Sequence, residues 1–225
     1  MTTAAAALAA DGACVVRGAI PTDDVEAVAA EFSMPGGGPG TRGASQDSTT
    51  GRLVAPEGAL GRLAAALTGC VMRPVRIVRF DKTAATNWMV PWHQDRTIAV
   101  AERAEVDGFG PWSVKDGVVH VEPPVALLGS MLTLRLFLDP CGTDQGPVEI
   151  ALGSHAAGRV PAGEAAALAR SAPRLLATGE AGDVLAMRLL ALHASARSRS
   201  ARRRRVLHVD YAADRLPAPL DWAMG

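Results

Sequence analysis

From residue 71 onward, apolar residues come in short runs closed by turn signals. Residues 75–80 (VRIVRF), 118–121, 131–138, 148–152, 184–188 and 206–211 each have the length and composition of a strand. Asp139-Pro140, Cys141-Gly142, Gly146-Pro147, Gly153-Ser154 and Gly182-Asp183 separate them. Strands in series, without alternating helices, predict a β-sandwich or jelly roll rather than a parallel α/β sheet. One interruption, residues 162–170, reads as an inserted helix. The first seventy residues have a different pattern. Residues 3–10 read as an Ala-rich helix and 13–16 as a strand. Pro21-Thr22-Asp23-Asp24 is a helix start with Thr22 or Asp23 as N-cap, and Val25, Val28, Ala29 and Phe32 follow at helical spacing. Residues 59–67 read as a second helix, closed by Gly69. Residues 35–51 are loop by composition, either a lid or a connector. The expected organisation is one domain over 1–225, with a helical N-terminal cover (1–70), a β core (71–212) and a C-terminal tail (213–225).

Composition narrows the function classes. A chain of 225 residues is long enough for one sizeable core. Lys+Arg and Asp+Glu both number 23, so no global field steers the chain toward nucleic acid or a membrane surface. The sequence has no run of about 18 uncharged apolar residues, so no transmembrane helix is expected. The N-terminus has no cation before Arg17, which argues against a secretory signal. Cys14, Cys70 and Cys141 are odd in number and far apart, which favours a reducing cytoplasm over a disulfide framework.

The chemistry centres on PWHQD, residues 91–95. In an extended segment, residues i and i+2 project to one face, so His93 and Asp95 would stand side by side. An imidazole and a carboxylate are two members of the 2-His-1-carboxylate set that holds non-haem Fe(II) with open positions. The candidate third ligand is His193, at the far end of the apolar run GDVLAMRLLALH, which reads as one strand. Eleven residues later, Arg204 opens the run RRVLHVDYA. Alternation sends Arg204 inward with Val206 and His208, and Arg203 and Arg205 the other way. The run 202–205 reads as one functional arginine among solvated neighbours; the rival reading is a phosphate-binding patch.

The order H-x-D, G-P-V-E-x-x-x-G-S-H, G-D-V-L, H-x-S and R-R-V-L-x-x-x-Y-A is similar to that of the phytanoyl-CoA dioxygenase family, from about Val75 to Ala212. Leu152 stands where the family usually has proline before G-S-H. The resemblance implies a mainly β fold: a double-stranded β-helix (jelly-roll, cupin-like) core with flanking N-terminal helices. It implies Fe(II), 2-oxoglutarate as co-substrate and O2, with His93, Asp95 and His193 as the catalytic metal ligands. Arg204 would bind the distal carboxylate of 2-oxoglutarate, supported by Ser195, and Arg135 falls at a co-substrate-pocket position. Asp95 stands where halogenating members have a small residue, so hydroxylation or another oxidation is expected.

Some residues keep two readings. Arg135, in an otherwise apolar strand, either lines the barrel interior or pairs with a structural acid such as Glu149. Trp88, Trp92, Trp112 and His120 are either core residues or walls for a small-molecule substrate. Lys115 is a solvated lysine or attracts an anionic substrate, His155 has a turn role, and His208 lies behind the site. The rival function is a jelly-roll metal-binding protein, or a cupin-like non-redox isomerase, which would have no use for Arg204 with Ser195 as a clamp.

Overall fold

The computed structural model describes residues 3–32, the backbone of 40–42, and residues 45–224. The N-terminal part runs α1 (Thr3–Asp11), β1 (Ala13–Val16), α2 (Thr22–Glu31), β2 (Gly40–Arg42), α3 (Thr49–Val54) and α4 (Ala59–Thr68). Next come β3 (Arg73–Lys82), β4 (Val90–His93), β5 (Ile98–Val100), β6 (Trp112–Lys115), β7 (Val118–Val121), α5 (Val125–Ser130), β8 (Leu132–Phe137) and β9 (Val148–Ala151). A 3-10 turn (Ser154–Ala157), α6 (Ala165–Ser171), β10 (Arg174–Ala177), β11 (Val184–Arg188), β12 (His193–Ser195) and β13 (Arg204–Ala212) complete the chain.

The strands form antiparallel sheets in the orders β1-β11-β8-β13-β3-β2, β10-β9-β12-β4 and β5-β7-β6. The fold is mainly β, a jelly roll with N-terminal helices. Alternation along β8 sorts its residues between two cores. Leu132, Leu134 and Leu136 pack outward against Leu8, Val28, Leu60 and Leu67 of the helices. Phe137 joins Leu185, Met187 and Val206 facing Val148 and Ile150 of the four-stranded sheet. The helices thus cover one face of the large sheet and leave the other to the barrel interior.

Most of the expected elements form, and the exceptions have physical causes. α2 is preceded by Pro21, whose position gives no side-chain cap; neither Thr22 nor Asp23 is the N-cap, because both already lie inside the helix. α4 ends at Gly69, whose φ of 78° suits a residue without Cβ. The loop expected over 35–51 contains β2, which pairs with β3, and the start of α3, capped by Ser48 accepting from the Gly51 amide; residues 35–39 and 43–44 lie outside the described residues. The run GDVLAMRLLALH is not one strand. β11 stops at Arg188, and the buried residues Leu189 to Leu192 cross to the other sheet before His193 opens β12. The crossover is possible because its backbone is satisfied: the Leu192 amide donates to Ser154 Oγ and its carbonyl accepts from Ala151. The segment after Ala212 packs back on the barrel, with Leu216 and Leu220 buried and Trp222 bridged to Val100. The three cysteines are free.

Candidate metal centre

His93 ends β4 and His193 begins β12, and antiparallel pairing puts them directly opposite each other. Their ring centroids are 4.2 Å apart. Asp95 follows two residues after His93, and its Oδ2 lies 3.7 Å from His193 Nε2. The residue between them, Gln94, explains the local geometry. Its buried amide donates to the Gly158 and Leu190 carbonyls, each at 2.7 Å, and accepts from the Val160 amide at 2.8 Å. Gln94 is therefore tied to the outer side, and alternation leaves His93 and Asp95 on the inner side.

Both imidazoles are oriented by their own backbone. His93 Nδ1–H donates to the Pro91 carbonyl at 2.9 Å, and His193 Nδ1–H to the Ala191 carbonyl at 3.0 Å. Each ring is thereby fixed as the tautomer with its lone pair on Nε2. One atom from each of His93, Asp95 and His193 lies within 4.8 Å of the others. Burial, with His93 nearby, pushes His193 down to about 4, although Asp95 opposes the shift. It therefore stays neutral, as a ligand must, over the physiological range. Burial would raise the Asp95 carboxyl, but nearby positive charge, that of Arg76 included, outweighs it and holds the carboxyl below its usual value. Two imidazoles oriented through Nδ1 and one carboxylate, all on one side, are a nitrogen–oxygen donor set that suits iron(II).

A cavity of about 120 Å³ adjoins these three residues, and Ser195, Arg135, Arg204 and Trp88 help to line it. Arg204 is 6% exposed, and its Nε has no hydrogen-bond partner; its Nη1 lies 4.0 Å from Cys141 Sγ. Its neighbours in the run behave as alternation predicts. Arg203 pairs with Asp81 and Arg205 with Asp139, both at 2.7 Å.

Arg135 belongs to the interior. It does not pair with Glu149, which pairs with Arg174 instead; β8 turns Arg135 inward while Glu149 lies on the other sheet. Its Nη1 donates to His208 Nδ1 at 2.9 Å, and its guanidinium lies 5.1 Å from the Phe80 ring centroid. His208 Nε2–H donates in turn to Asp210 Oδ1 at 2.9 Å. Asp210 also accepts from Thr133 at 2.7 Å and from Arg76 at 3.1 Å. Burial opposes its ionisation, but His208, Arg76 and Thr133 hold its carboxyl far below the usual range.

Of the tryptophans, only Trp88 lines this cavity. Trp92 packs with α6 residues under the Arg174 guanidinium, and Trp112 lies under that of Arg103 on the three-stranded sheet. His120 is buried on β7, with Nδ1 donating to the Val118 carbonyl at 2.9 Å, and lines a different cleft. Lys115 reaches Thr97 at the surface, and His155 sits in the 3-10 turn, as a turn role requires.

Sequence reasoning passed over Arg76, Phe80, Lys82, Gln94 and Asp210. Lys82 is opposite Arg204 in the β3–β13 ladder. Its Nζ donates to the Ala196 carbonyl at 2.9 Å and lies 5.3 Å from the Trp88 centroid. Burial, then the charge of Arg204, pushes it down to about 8. As pH rises, the folded chain therefore releases this proton before the unfolded chain, whose lysine titrates near 10.5. Stability should rise with pH between about 8 and 10.5, because the unfolded state binds more protons there. Urea unfolding at pH 7.5, 8.5 and 9 checks this as a difference: Lys82→Met should lack the rise that the wild type has. Equal slopes would mean that Lys82 titrates normally.

The model of the family described as phytanoyl-CoA dioxygenase (PhyH) matches residues 8–206. No curated protein matches the chain. Among solved structures, it is similar to EctD from S. alaskensis with 2-oxoglutarate and 5-hydroxyectoine, at 18% identity, covering 96% of this chain and 78% of that one with a TM-score of 0.72. AviO1 from Streptomyces viridochromogenes Tue57 is similar at 20% identity, 96% coverage of both chains and a TM-score of 0.68. The non-heme alpha ketoglutarate dependent epimerase SnoN from nogalamycin biosynthesis is similar at 20% identity, covering 92% of this chain and 80% of that one, with a TM-score of 0.66. These likenesses establish the jelly-roll fold, and the family match extends from the first helix into β13. The chain belongs to the phytanoyl-CoA dioxygenase family.

Proposed function

We propose that the protein is a cytoplasmic Fe(II)- and 2-oxoglutarate-dependent dioxygenase that hydroxylates an unactivated C–H bond of a small organic substrate. The observation that carries this reading is the pairing of two features: a His93–Asp95–His193 triad with both imidazole tautomers fixed, and a buried arginine in the same cavity whose Nε–H has no acceptor. A metal-binding jelly roll without oxygenase chemistry needs the first and has no use for the second. Iron(II) and 2-oxoglutarate, once bound, would supply the oxidising chemistry, with dioxygen consumed and succinate and carbon dioxide released.

The side chains hold and orient. Nε2 of His93, a carboxylate oxygen of Asp95 and Nε2 of His193 would grip the metal from one side and leave the other side open. Arg204 would take the distal carboxylate of 2-oxoglutarate, its Nε–H and one Nη–H matching the two oxygens, with the Ser195 hydroxyl as a third donor. Arg135 adds a second cation and is kept in place by the His208–Asp210 pair. Phe80, Val90, Val148 and Trp88 supply apolar walls that limit water around the reacting groups. Hydrogen removal also begins epimerisation and ring closure, so the mass of the product separates hydroxylation from these outcomes.

The test is anaerobic titration of Fe(II)-loaded protein with 2-oxoglutarate, followed by visible absorption. A weak charge-transfer band that saturates with 2-oxoglutarate is the expected result. Protein that binds iron but gives no band would refute the reading.

A further inference from the structure

Two guanidinium groups on the inward face of the β3–β13 ladder keep a buried Nε–H without a hydrogen-bond partner, those of Arg204 and Arg76. They stand at opposite ends of it. Arg204 is level with Lys82, whereas Arg76 is level with Asp210. The strand from Arg76 to Lys82 covers roughly 20 Å. The proposed co-substrate clamp uses Arg204; Arg76 is left with its bond to Asp210 and an Nε–H that nothing accepts. A buried donor with no acceptor is costly, and a bound group that supplies one accounts for its retention.

Burial opposes the charge of Arg76, but Asp210 and Asp95 outweigh it and keep the guanidinium ionised. Its partner Asp210 is shared with His208 and Thr133. Its charge reaches the metal ligand Asp95. It also lines two cavities: the one at the metal and a second cleft of about 170 Å³. The second cleft lies between β3 and the three-stranded sheet. β2 pairs only with Val78 to Phe80, so among the described residues no strand covers the earlier part of that β3 edge. Val75, Ile77, Ala99, Val118 and Met224 give the cleft mostly apolar walls, and His120 completes it. Arg76 is therefore the one guanidinium that both cavities share.

We propose that this cleft receives the primary substrate and that Arg76 binds its anionic group. The substrate class is then a small molecule with a carboxylate on an apolar body. The proposal rests on the iron- and 2-oxoglutarate-dependent reading above. It divides the work of two arginines: Arg204 anchors the co-substrate at one end of the ladder, and Arg76 anchors the substrate at the other. The apolar walls favour a hydrocarbon body, while the guanidinium fixes which end faces the metal.

The experiment uses hexanoate and octanoate, each beside its carboxamide, titrated calorimetrically and without oxygen into protein loaded with Fe(II) and 2-oxoglutarate. At least one acid should bind saturably, at least tenfold more tightly than its amide. Arg76→Gln should remove that preference. Because Arg76→Gln also strips Asp210 of a partner and risks the fold, Ala99→Leu is the second variant. It fills the cleft from β5 and should abolish acid binding while leaving the 2-oxoglutarate absorption band and its midpoint unchanged. Equal binding of acid and amide, no binding by either acid, or acid binding that survives Ala99→Leu would each overturn the proposal. Displacement of the acid by excess 2-oxoglutarate would do so too, since it would put the acid at Arg204. If the wild-type band itself is absent, the parent reading fails instead, a result separable from all of these.

Discussion

Asp95→Ala abolishes the 2-oxoglutarate absorption band and weakens iron binding by more than about 100-fold, a larger loss than the 10- to 100-fold typical of removing a partner one layer further from a metal. His193→Ala does the same. The expectation follows from what each side chain supplies. Asp95 brings the only negative charge among the three donors, so its loss leaves two imidazoles facing a dication. The histidines themselves survive the substitution. Their Nδ1–H bonds go to the backbone carbonyls of Pro91 and Ala191, which no side-chain change removes. Burial alone also keeps His193 neutral when the raising influence of Asp95 is gone. The variant is thus a two-ligand site in an otherwise intact cavity. Iron binding by anaerobic equilibrium dialysis, with circular dichroism to check the fold, measures it. Retention of wild-type iron affinity in Asp95→Ala would remove the carboxylate from the ligand set, and coupled 2-oxoglutarate turnover in either variant would sink the assignment.

The part of this site that local pattern could reveal was the part set by alternation. RRRVLHVDYA, residues 203–212, places Arg204, Val206, His208 and Asp210 on one face and Arg203 and Arg205 on the other, and the salt bridges of Arg203 and Arg205 follow that division. VRIVRFDK holds the same kind of pattern, with Arg76, Val78, Phe80 and Lys82 in phase. Its meaning depends on which strand lies alongside. Arg76 meets Asp210 and Lys82 meets Arg204 only because β3 pairs with β13 across more than 120 positions, and no local rule gives that register. Arg135 is a similar case. Its burial could be foreseen from its strand, but choosing its partner required knowing that β13, rather than β9, runs beside β8.

Other misreadings came from continuity. GDVLAMRLLALH is apolar throughout, and both a strand and a buried crossover satisfy that pattern. What separates them is whether side-chain and loop partners exist for the backbone, here Ser154 and Ala151, which lie far away in sequence. The tryptophans close to PWHQD in sequence were natural candidates for the cavity wall. Trp88 reaches it from the β3–β4 connection. Trp92 sits on β4 in antiphase to His93, so the alternation that turns the histidine inward turns the indole toward α6.

Arg204→Ala should raise the dissociation constant for 2-oxoglutarate by roughly 30- to 1000-fold, the equivalent of about 2–4 kcal/mol for removing one partner of a buried, hydrogen-bonded charge pair. Affinity for iron without 2-oxoglutarate should stay near that of the wild type, since Arg204 is not among the residues grouped as metal ligands. The effect has an upper bound because Arg135 and Lys82 remain close and keep the cavity cationic. Arg204→Lys should recover little, as an ammonium cannot offer the two parallel donors of a guanidinium. The substitution also carries a signature independent of any ligand. Arg204 is one of the charges that hold Lys82 down to about 8, so its removal moves Lys82 back toward 10.5 and shrinks the alkaline window in which stability rises. A variant that shows the altered pH dependence yet binds 2-oxoglutarate normally would be folded, with Arg204 in its assigned surroundings, and would still refute the clamp. That result would favour a metal-binding jelly roll or a non-redox isomerase, because the buried Nε–H of Arg204 would then be serving something other than the co-substrate carboxylate.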